Sequence, residues 1–503
     1  DGFDPIIDLE KSYKSWLVDA RNGDEYLDMF SMYASGSIGY NHPEILKNKD
    51  LLTKVSLFKP TLSDIYSVHY ADFLETFDRI AIPDYLKNAF FIEGGSLAVE
   101  NALKIAFDWK VRRNMEKGLP KIETKIIHFK QAFHGRSGYT LSMTNTSDPR
   151  KTMYFPKFDW PRIDNPKLSF PITDYILEEV KKNEKLAVEQ IKMAITNNPD
   201  DIAALIIEPI QGEGGDNHFR DEFFIALRQL CDENEMLYIL DEVQTGIGIT
   251  GKWWAHQHNS VKPDIIAFGK KSHVCGLLAG RRVEEVENHV FSESSRINST
   301  FGGNLVDMTR FKIILEIIEE ENLLENSRNT GNYLLQKLMN LQDKYPAYIT
   351  NARGLGLWAA FDLPSLTERD DLWEEMMKKI LMVALSVLIC SGAMSFGGES
   401  DSGNYCWDTT NHPYYPATSN PWIKGNSTES MYADCARVCA INKNCWEANY
   451  WCDGANPTMP GGPCDTDKEI TFNLQCTVNA RVWNIRDFVE TFVFVTPLGC
   501  ANN

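Results

Sequence analysis

Residues 236–246 read Met236-Leu237-Tyr238-Ile239-Leu240-Asp241-Glu242-Val243-Gln244-Thr245-Gly246. An apolar run of strand length that stops on two acids and a turn glycine predicts a buried strand, Met236–Leu240, with a carboxylate at its C-terminal end. Lys125–Phe129, Ala203–Ile207 and Asp264–Phe268 have the same character, and helical patterns lie between them. Leu97–Lys117 puts Val99, Leu103, Ala106 and Phe107 on one face, and Asp221–Asn234 and Val306–Glu321 behave alike. This alternation predicts an α/β fold whose mostly parallel sheet is covered on both faces, with ligands at the carboxyl ends of the strands. From Asn322 the pattern turns helical and then glycine-rich (Arg353-Gly354-Leu355-Gly356), which predicts the start of a smaller domain.

The chain has 503 residues, 43% apolar and 11% aromatic, a globular composition with room for about three domains. Its 51 basic and 70 acidic side chains leave a formal charge of −19, which argues against nucleic acid or an anionic membrane surface as a partner. The 11 cysteines are unevenly spread: Cys231 and Cys275 fall before residue 377 and all the others after it. The first part therefore reads as a reduced, cytoplasmic protein and the second as a secreted, disulfide-bonded one.

The junction has its own signature. Met377-Lys378-Lys379, the apolar run Ile380–Cys390 and the small-residue stretch Ser391–Ser395 have the layout of a bacterial signal peptide, with a buried core helix or a membrane span as alternatives. Serine and glycine in the second half are unsuited to lipid, so no stable span is expected. A signal sequence in mid-chain implies that two unrelated proteins are joined at Met377, a deliberate fusion being the rival explanation. Residues 396–503 carry Cys406, Cys435, Cys439, Cys445, Cys452, Cys464, Cys476 and Cys500, as expected of a small secreted domain stapled by disulfides. Cys435-x3-Cys439 has no histidine cluster beside it, so no metal site is expected.

Four constellations fall where the sheet would place a site. Glu93-Gly94-Gly95-Ser96 precedes a helix, whose N-terminus favours a phosphate, although an ordinary turn reads the same way. Asp241 suits a buried cation such as a protonated pyridine, or a plain helix cap. Phe268-Gly269-Lys270-Lys271 offers an amine for a Schiff base, or a solvated lysine pair. In Ala132-Phe133-His134-Gly135-Arg136, Phe133 offers a stacking face and Arg136 a carboxylate fork; a core phenylalanine and a surface arginine are the plainer uses. His134 reads as structural rather than as a general base.

Together, and in this order, these strings resemble the class III pyridoxal-phosphate aminotransferases of fold type I. The match is carried by Phe133–Arg136, Glu208-Pro209-Ile210-Gln211-Gly212-Glu213-Gly214-Gly215, Asp241–Gly246, Phe268–Lys270 and Ser299-Thr300-Phe301-Gly302-Gly303-Asn304, over about residues 3–376. Gly269–Gly276, Ala279–Val283 and Arg296–Thr300 resemble the lysine 6-aminotransferase branch. That branch moves the side-chain amino group of L-lysine to 2-oxoglutarate. Ornithine, acetylornithine or 4-aminobutyrate transamination is the enzymatic alternative, and a secreted Cys-rich binding protein the non-enzymatic one.

The resemblance implies an N-terminal segment over 1–60, a cofactor-binding large domain over 61–321 and a truncated small domain over 322–376, followed by the signal-like 377–395 and the Cys-rich 396–503. It implies pyridoxal 5′-phosphate joined to Lys270, with Asp241 on the ring nitrogen, Gln244 on the 3-hydroxyl, Phe133 stacked on the ring, and Gly95 and Ser96 at the phosphate. Thr300 would reach the phosphate of a neighbouring subunit, so a homodimer is implied. Arg136 would bind the lysine α-carboxylate and Asn298 orient the substrate. Glu213 would cover an arginine from a C-terminal Arg-Phe-Arg-Pro-like segment that this sequence does not contain, which implies weak or absent activity.

Overall fold

The computed structural model describes residues 5–365 except 29, 60, 62–64 and 120–123. The expectations for the signal-like segment, the Cys-rich domain with its disulfides, and the end of the small domain fall outside the described residues.

A seven-stranded sheet organises the molecule. After a short antiparallel pair, β1 (Trp16–Val18) and β2 (Glu25–Leu27), come β3 (Asn88–Ile92), β4 (Lys125–Phe129), β5 (Arg162–Ile163), β6 (Ile202–Ile207), β7 (Leu237–Asp241), β8 (Ile265–Phe268) and β9 (Cys275–Ala279). Their spatial order is β3-β9-β8-β7-β6-β4-β5. β9 runs antiparallel to both neighbours, and every other pairing in the sheet is parallel. The four strands expected from the sequence are all present, within a residue or so at each end.

Side chains alternate across the sheet with the two-residue period of a strand. Tyr238 and Leu240 of β7 join the core on one face, while Leu237 and Ile239 join the core on the other. The first face is covered by helices Val68–Ile80, Asp221–Glu233 and Leu305–Glu320, and it holds a cluster of Phe73, Phe77, Phe91, Phe268, Phe311 and Trp254. Ring centroids there lie 5.2 Å apart for Phe73–Phe91 and 5.3 Å for Phe77–Phe311. Edge-to-face pairs of this kind add about 0.5–1.5 kcal/mol to the burial of their area.

The second face is covered by the helix Gly95–Glu116, which buries Val99, Leu103 and Ala106 as its pattern requires. It also buries Asp108 and Lys110, on sides that a simple amphipathic reading leaves in water. Partners make this tolerable: Asp108 accepts from Arg112 and Arg296 at 2.8 Å each, and Lys110 donates to the Glu235 carbonyl at 3.1 Å. Among the described residues, no helix is long and apolar enough to cross a membrane.

A left-handed Asn322 (φ +54°) separates Leu305–Glu320 from the helix Leu323–Lys344. That helix packs on the antiparallel hairpin β10 (Thr350–Leu355) and β11 (Trp358–Asp362) through Leu338, Ala352, Ala359 and Phe361. The change of pattern at Asn322 coincides with the start of this helix and hairpin. Gly331 is where the helix meets the hairpin turn: a Cβ there would lie 1.9 Å from the Gly356 carbonyl oxygen. Glycine to alanine inside a helix ordinarily stabilises by about 1 kcal/mol. Here Gly331→Ala is expected to destabilise by about 1–3 kcal/mol, read as a lower thermal unfolding midpoint. An unchanged or raised midpoint would contradict this packing.

Candidate active site

The carboxyl ends of β3, β4, β6, β7 and β8 converge on one edge of the sheet. Asp241 closes β7 and pairs in register with Ala267 of β8, just ahead of Lys270. It is 4% exposed. One carboxylate oxygen lies 2.8 Å from Nδ1 of His134 and the other accepts the Val243 amide at 3.0 Å. A carboxylate only accepts, so Nδ1 of His134 carries the hydrogen. His134 is thus a positioning residue for Asp241, as a structural histidine should be. Its Nε2 is buried without a hydrogen-bond partner among the described residues.

Glu208 follows directly on β6 and is also buried. Its two oxygens accept the amides of Phe133 (3.0 Å) and Gly212 (3.3 Å), tying the stacking aromatic to the loop that carries Glu213. Burial first, and then the nearby Asp241, push its carboxyl well above the usual carboxylate range. The sequence displayed Glu208 within a matching string but assigned it no work. Its neighbour Pro209 after an all-buried strand is the only local signal.

Lys270 sits in the left-handed region (φ +54°) at the start of a short turn after Gly269. Burial lowers its ammonium pKa, while Glu213, Asp241 and Glu208 pull in the opposite direction. A lowered pKa makes an amine a readier nucleophile and proton carrier. Lys271 is different. It is fully buried, donates to the carbonyls of Gln244 (2.5 Å) and Ala34 (3.5 Å), and is pushed down to about 7 by burial and by the charge of Lys270. The solvated lysine pair considered from the sequence is therefore replaced by one amine in the site and one built into the frame.

The frame is unusual. Ser31–Ala34 form a left-handed helical turn with φ between +47° and +63°, although none of the four is glycine. Such a turn costs about 1–2 kcal/mol per residue. Asp28 offsets this by accepting the amides of Phe30 (2.9 Å) and Ser31 (2.8 Å), and the Lys271 amine supports Ala34. Tyr33, on this turn, lies within electrostatic reach of Glu213 and Arg136. No sequence signal marked it.

The helix Gly95–Glu116 starts at this edge without a side-chain cap and without an acid in its first turn, leaving its N-terminus open to an anion. Gly94 (φ +103°) has open space around its missing Cβ. The Ser96 hydroxyl is 2.5 Å from that of Ser137 and 2.8 Å from that of Thr140. Gly135 (φ +115°) crosses so closely that a Cβ would lie 2.2 Å from the Ser96 hydroxyl. Ser96 is thus shared within a hydroxyl cluster, and the backbone amides of the helix start are the freer donors. Gln244 reaches Gly212, where a Cβ would meet its Oε1 at 2.5 Å. An anion cradle, a stacking phenylalanine, a buried carboxylate and a low-pKa lysine fit a phosphorylated, protonatable pyridine aldehyde.

Four further residues named from the sequence lie as follows. Glu213 forms an ion pair with Lys151, the partner the structure gives it among the described residues in place of the arginine that the resemblance implied. Arg136 is exposed, within electrostatic reach of Glu213. Asn298 and Thr300 stand exposed on the loop before Phe301.

This site and sheet define a pyridoxal-phosphate aminotransferase, and the chain belongs to the class-III aminotransferase family, whose model matches residues 3–392. The match runs past residue 376, beyond the extent of the resemblance carried by the motifs, and into the signal-like segment. The chain is 50% identical to L-lysine-epsilon aminotransferase of Mycobacterium tuberculosis over 76% of its length and 85% of that protein. It is 44% identical to L-lysine-epsilon aminotransferase of Streptomyces clavuligerus, over 76% of this chain and 84% of that one. A solved structure of lysine aminotransferase from M. tuberculosis in the internal aldimine form aligns with a TM-score of 0.73 at 49% identity, covering 76% of this chain and 87% of that one.

Lys271 supplies a pH test. Its folded pKa of about 7 lies below the roughly 10.4 of a free lysine, so the unfolded chain binds more protons between those values. Stability should therefore rise with pH across that window, by on the order of a few kcal/mol. In Lys271→Met the unfolding midpoint should rise less between pH 7 and 10; an unchanged slope would contradict a buried, neutral-prone amine.

Proposed function

We propose that this chain transfers the side-chain amino group of L-lysine to 2-oxoglutarate, giving 2-aminoadipate 6-semialdehyde and glutamate, and works as a homodimer. The lysine assignment is supported by 50% identity to an L-lysine-epsilon aminotransferase of M. tuberculosis. The chemistry is carried by one arrangement: Asp241 and Lys270 at adjacent strand ends, facing a common space. When bound, pyridoxal phosphate supplies an aldehyde that exchanges with amines and a ring that accepts electrons.

The chain's own residues do the rest. Asp241, held by His134 and the Val243 amide, keeps a hydrogen on the ring nitrogen. Lys270 Nζ would carry the proton between the reacting carbon of the substrate and the aldehyde-derived carbon of the cofactor, one way with the amino donor and the reverse way with the acceptor. Phe133, whose amide is fixed by Glu208, would cover one face of the ring. Gln244 would meet the 3-hydroxyl, and the amides at Gly95 and Ser96 would hold the phosphate. Arg136 binds the α-carboxylate of lysine, with Tyr33 beside it and Asn298 orienting the chain of the substrate.

The dimer reading is supported by the surface around Thr300. Thr61 bridges Phe301 in β-fashion. Leu57 (75%), Phe58 (66%) and Tyr66 (68%), close to Thr61 in sequence, are exposed apolar side chains of the kind that an interface covers. A second reading, transamination of another ω-amino acid, draws on 33% identity to 4-aminobutyrate aminotransferase of Emericella nidulans, over 72% of this chain and 76% of that one.

The test is single-turnover reaction of the cofactor-loaded chain with L-lysine, L-ornithine and 4-aminobutyrate, followed by its absorbance. Lysine should react fastest; preference for 4-aminobutyrate would favour the second reading. Borohydride should fix the cofactor to Lys270. Lys270→Ala should abolish that fixation and slow turnover on the order of 10²–10⁴-fold, whereas Lys271→Ala should retain fixation. Fixation lost only in Lys271→Ala would reverse the assignment.

A further inference from the structure

Successive residues at a strand end point to opposite sides, so the acid after Asp241 leaves the site. Glu242 is fully buried, and its amide still donates to the Ala267 carbonyl at 2.8 Å. Its carboxylate is taken up by the short turn Ala255–His258, where it accepts the amides of Ala255 (3.0 Å) and His256 (2.8 Å). It also accepts the Thr245 hydroxyl at 2.6 Å and lies 2.8 Å from Nδ1 of His256. Burial pushes the Glu242 carboxyl up, but the His256 ring and the Thr245 hydroxyl outweigh it and leave the group below the usual carboxylate range.

Because a carboxylate only accepts, Nδ1 of His256 carries the hydrogen. With a single ring hydrogen there, Nε2 accepts from the Tyr85 hydroxyl at 2.6 Å. Burial, and then the Glu242 charge, push the Tyr85 phenol up to about 12, so it keeps that hydrogen. The adjacent acids thus take one histidine each at 2.8 Å, His134 for Asp241 and His256 for Glu242. Of the two rings, His256 has a hydroxyl seated behind it, whereas Nε2 of His134 has no hydrogen-bond partner among the described residues.

What Glu242 holds is the turn that carries Gln244. Its carbonyl accepts the Gly246 amide at 2.9 Å, its carboxylate holds Thr245, and Lys271 donates to the Gln244 carbonyl at 2.5 Å. A Cβ at Gly246 would lie 2.9 Å from the Trp254 ring, so the turn has no room to back away on that side. Removing the His256 ring would leave a buried charge with one partner fewer, and the turn would shift to find another. We propose that His256, seated by Tyr85, is a positioning residue for the cofactor: through Glu242 it fixes the turn Asp241–Gly246 so that Gln244 meets the 3-hydroxyl. This rests on the assignment of Gln244 made above. His256 acts through Glu242 alone, and no bond is made or broken by it.

The test measures binding rather than turnover. Cofactor is removed from the full chain, and pyridoxal phosphate or 3-deoxypyridoxal phosphate, which lacks the 3-hydroxyl, is titrated back and followed by absorbance. The ratio of the two affinities isolates the Gln244 contact, because a general loss of folding lowers both. The unaltered chain should prefer pyridoxal phosphate, and Gln244→Ala should lower that preference about three- to tenfold. His256→Leu should lower it to a similar extent, and His256→Asn, whose amide still has a hydrogen to donate to Glu242, should restore most of it. Tyr85→Phe keeps every contact of the Glu242 carboxylate and guards against simple misfolding; it should lower the preference about twofold. His256→Leu combined with Gln244→Ala should lower it no further than Gln244→Ala alone. If Gln244→Ala shows its effect, then equal losses for the two cofactor forms in His256→Leu, or an unchanged preference in both His256→Leu and Tyr85→Phe, would overturn the inference alone. A preference that Gln244→Ala leaves unchanged would overturn the assignment of Gln244, and the inference with it.

Discussion

The structure depends on holding a carboxylate correctly aimed inside a sheet. Asp241 is placed at the end of a strand buried on both sides, where an isolated anion is strongly disfavoured. It is sustained by the His134 ring and the Val243 amide, and by a ring cation once cofactor is bound. A second buried carboxyl, Glu208, avoids competing with it because its pKa is raised by burial and by Asp241 itself. Two acids side by side thus take different tasks: one holds charge and the other holds backbone.

Around that anion the loops are fixed by close approach rather than by bulk. Gly135 against Ser96, Gly212 against Gln244 and Gly214 against Gln131 each leave no room for a side chain. The left-handed turn at Ser31–Ala34 is anchored by Asp28 and Lys271, which places Tyr33 near Glu213. Lys271, next to the reactive lysine in sequence, spends its amine on this support. Adjacent identical residues acquire opposite roles because one follows the strand end into the cavity and the other turns back into the frame.

Much of this was legible in the sequence. The strands Lys125–Phe129 and Ile202–Ile207 are short apolar runs whose burial leaves little alternative, and a parallel sheet brings their carboxyl ends together. Asp241, Lys270 and Phe133 could therefore be assigned from strand ends and the family resemblance. Glu208 could not, because its work consists of accepting two amides, from Phe133 and Gly212, that only the folded chain brings together. Nor could Lys151 be matched to Glu213, since charge pairing across distant loops leaves no periodic trace. The turn at Ser31–Ala34 was invisible for another reason: Ser-Met-Tyr-Ala contains no glycine or asparagine to announce positive φ.

The central claim is that Asp241 acts through the charge it imposes on the cofactor ring. The direct measurement replaces Asp241 with alanine, loads the chain with pyridoxal phosphate or its N-methylated form, and records the rate of the lysine half-reaction. The N-methyl ring is cationic without help from the protein. The account expects a severe loss with the ordinary cofactor and substantial recovery with the methylated one. Equal rates for Asp241→Ala and the unaltered chain, or loss that the methylated ring does not repair, would contradict it.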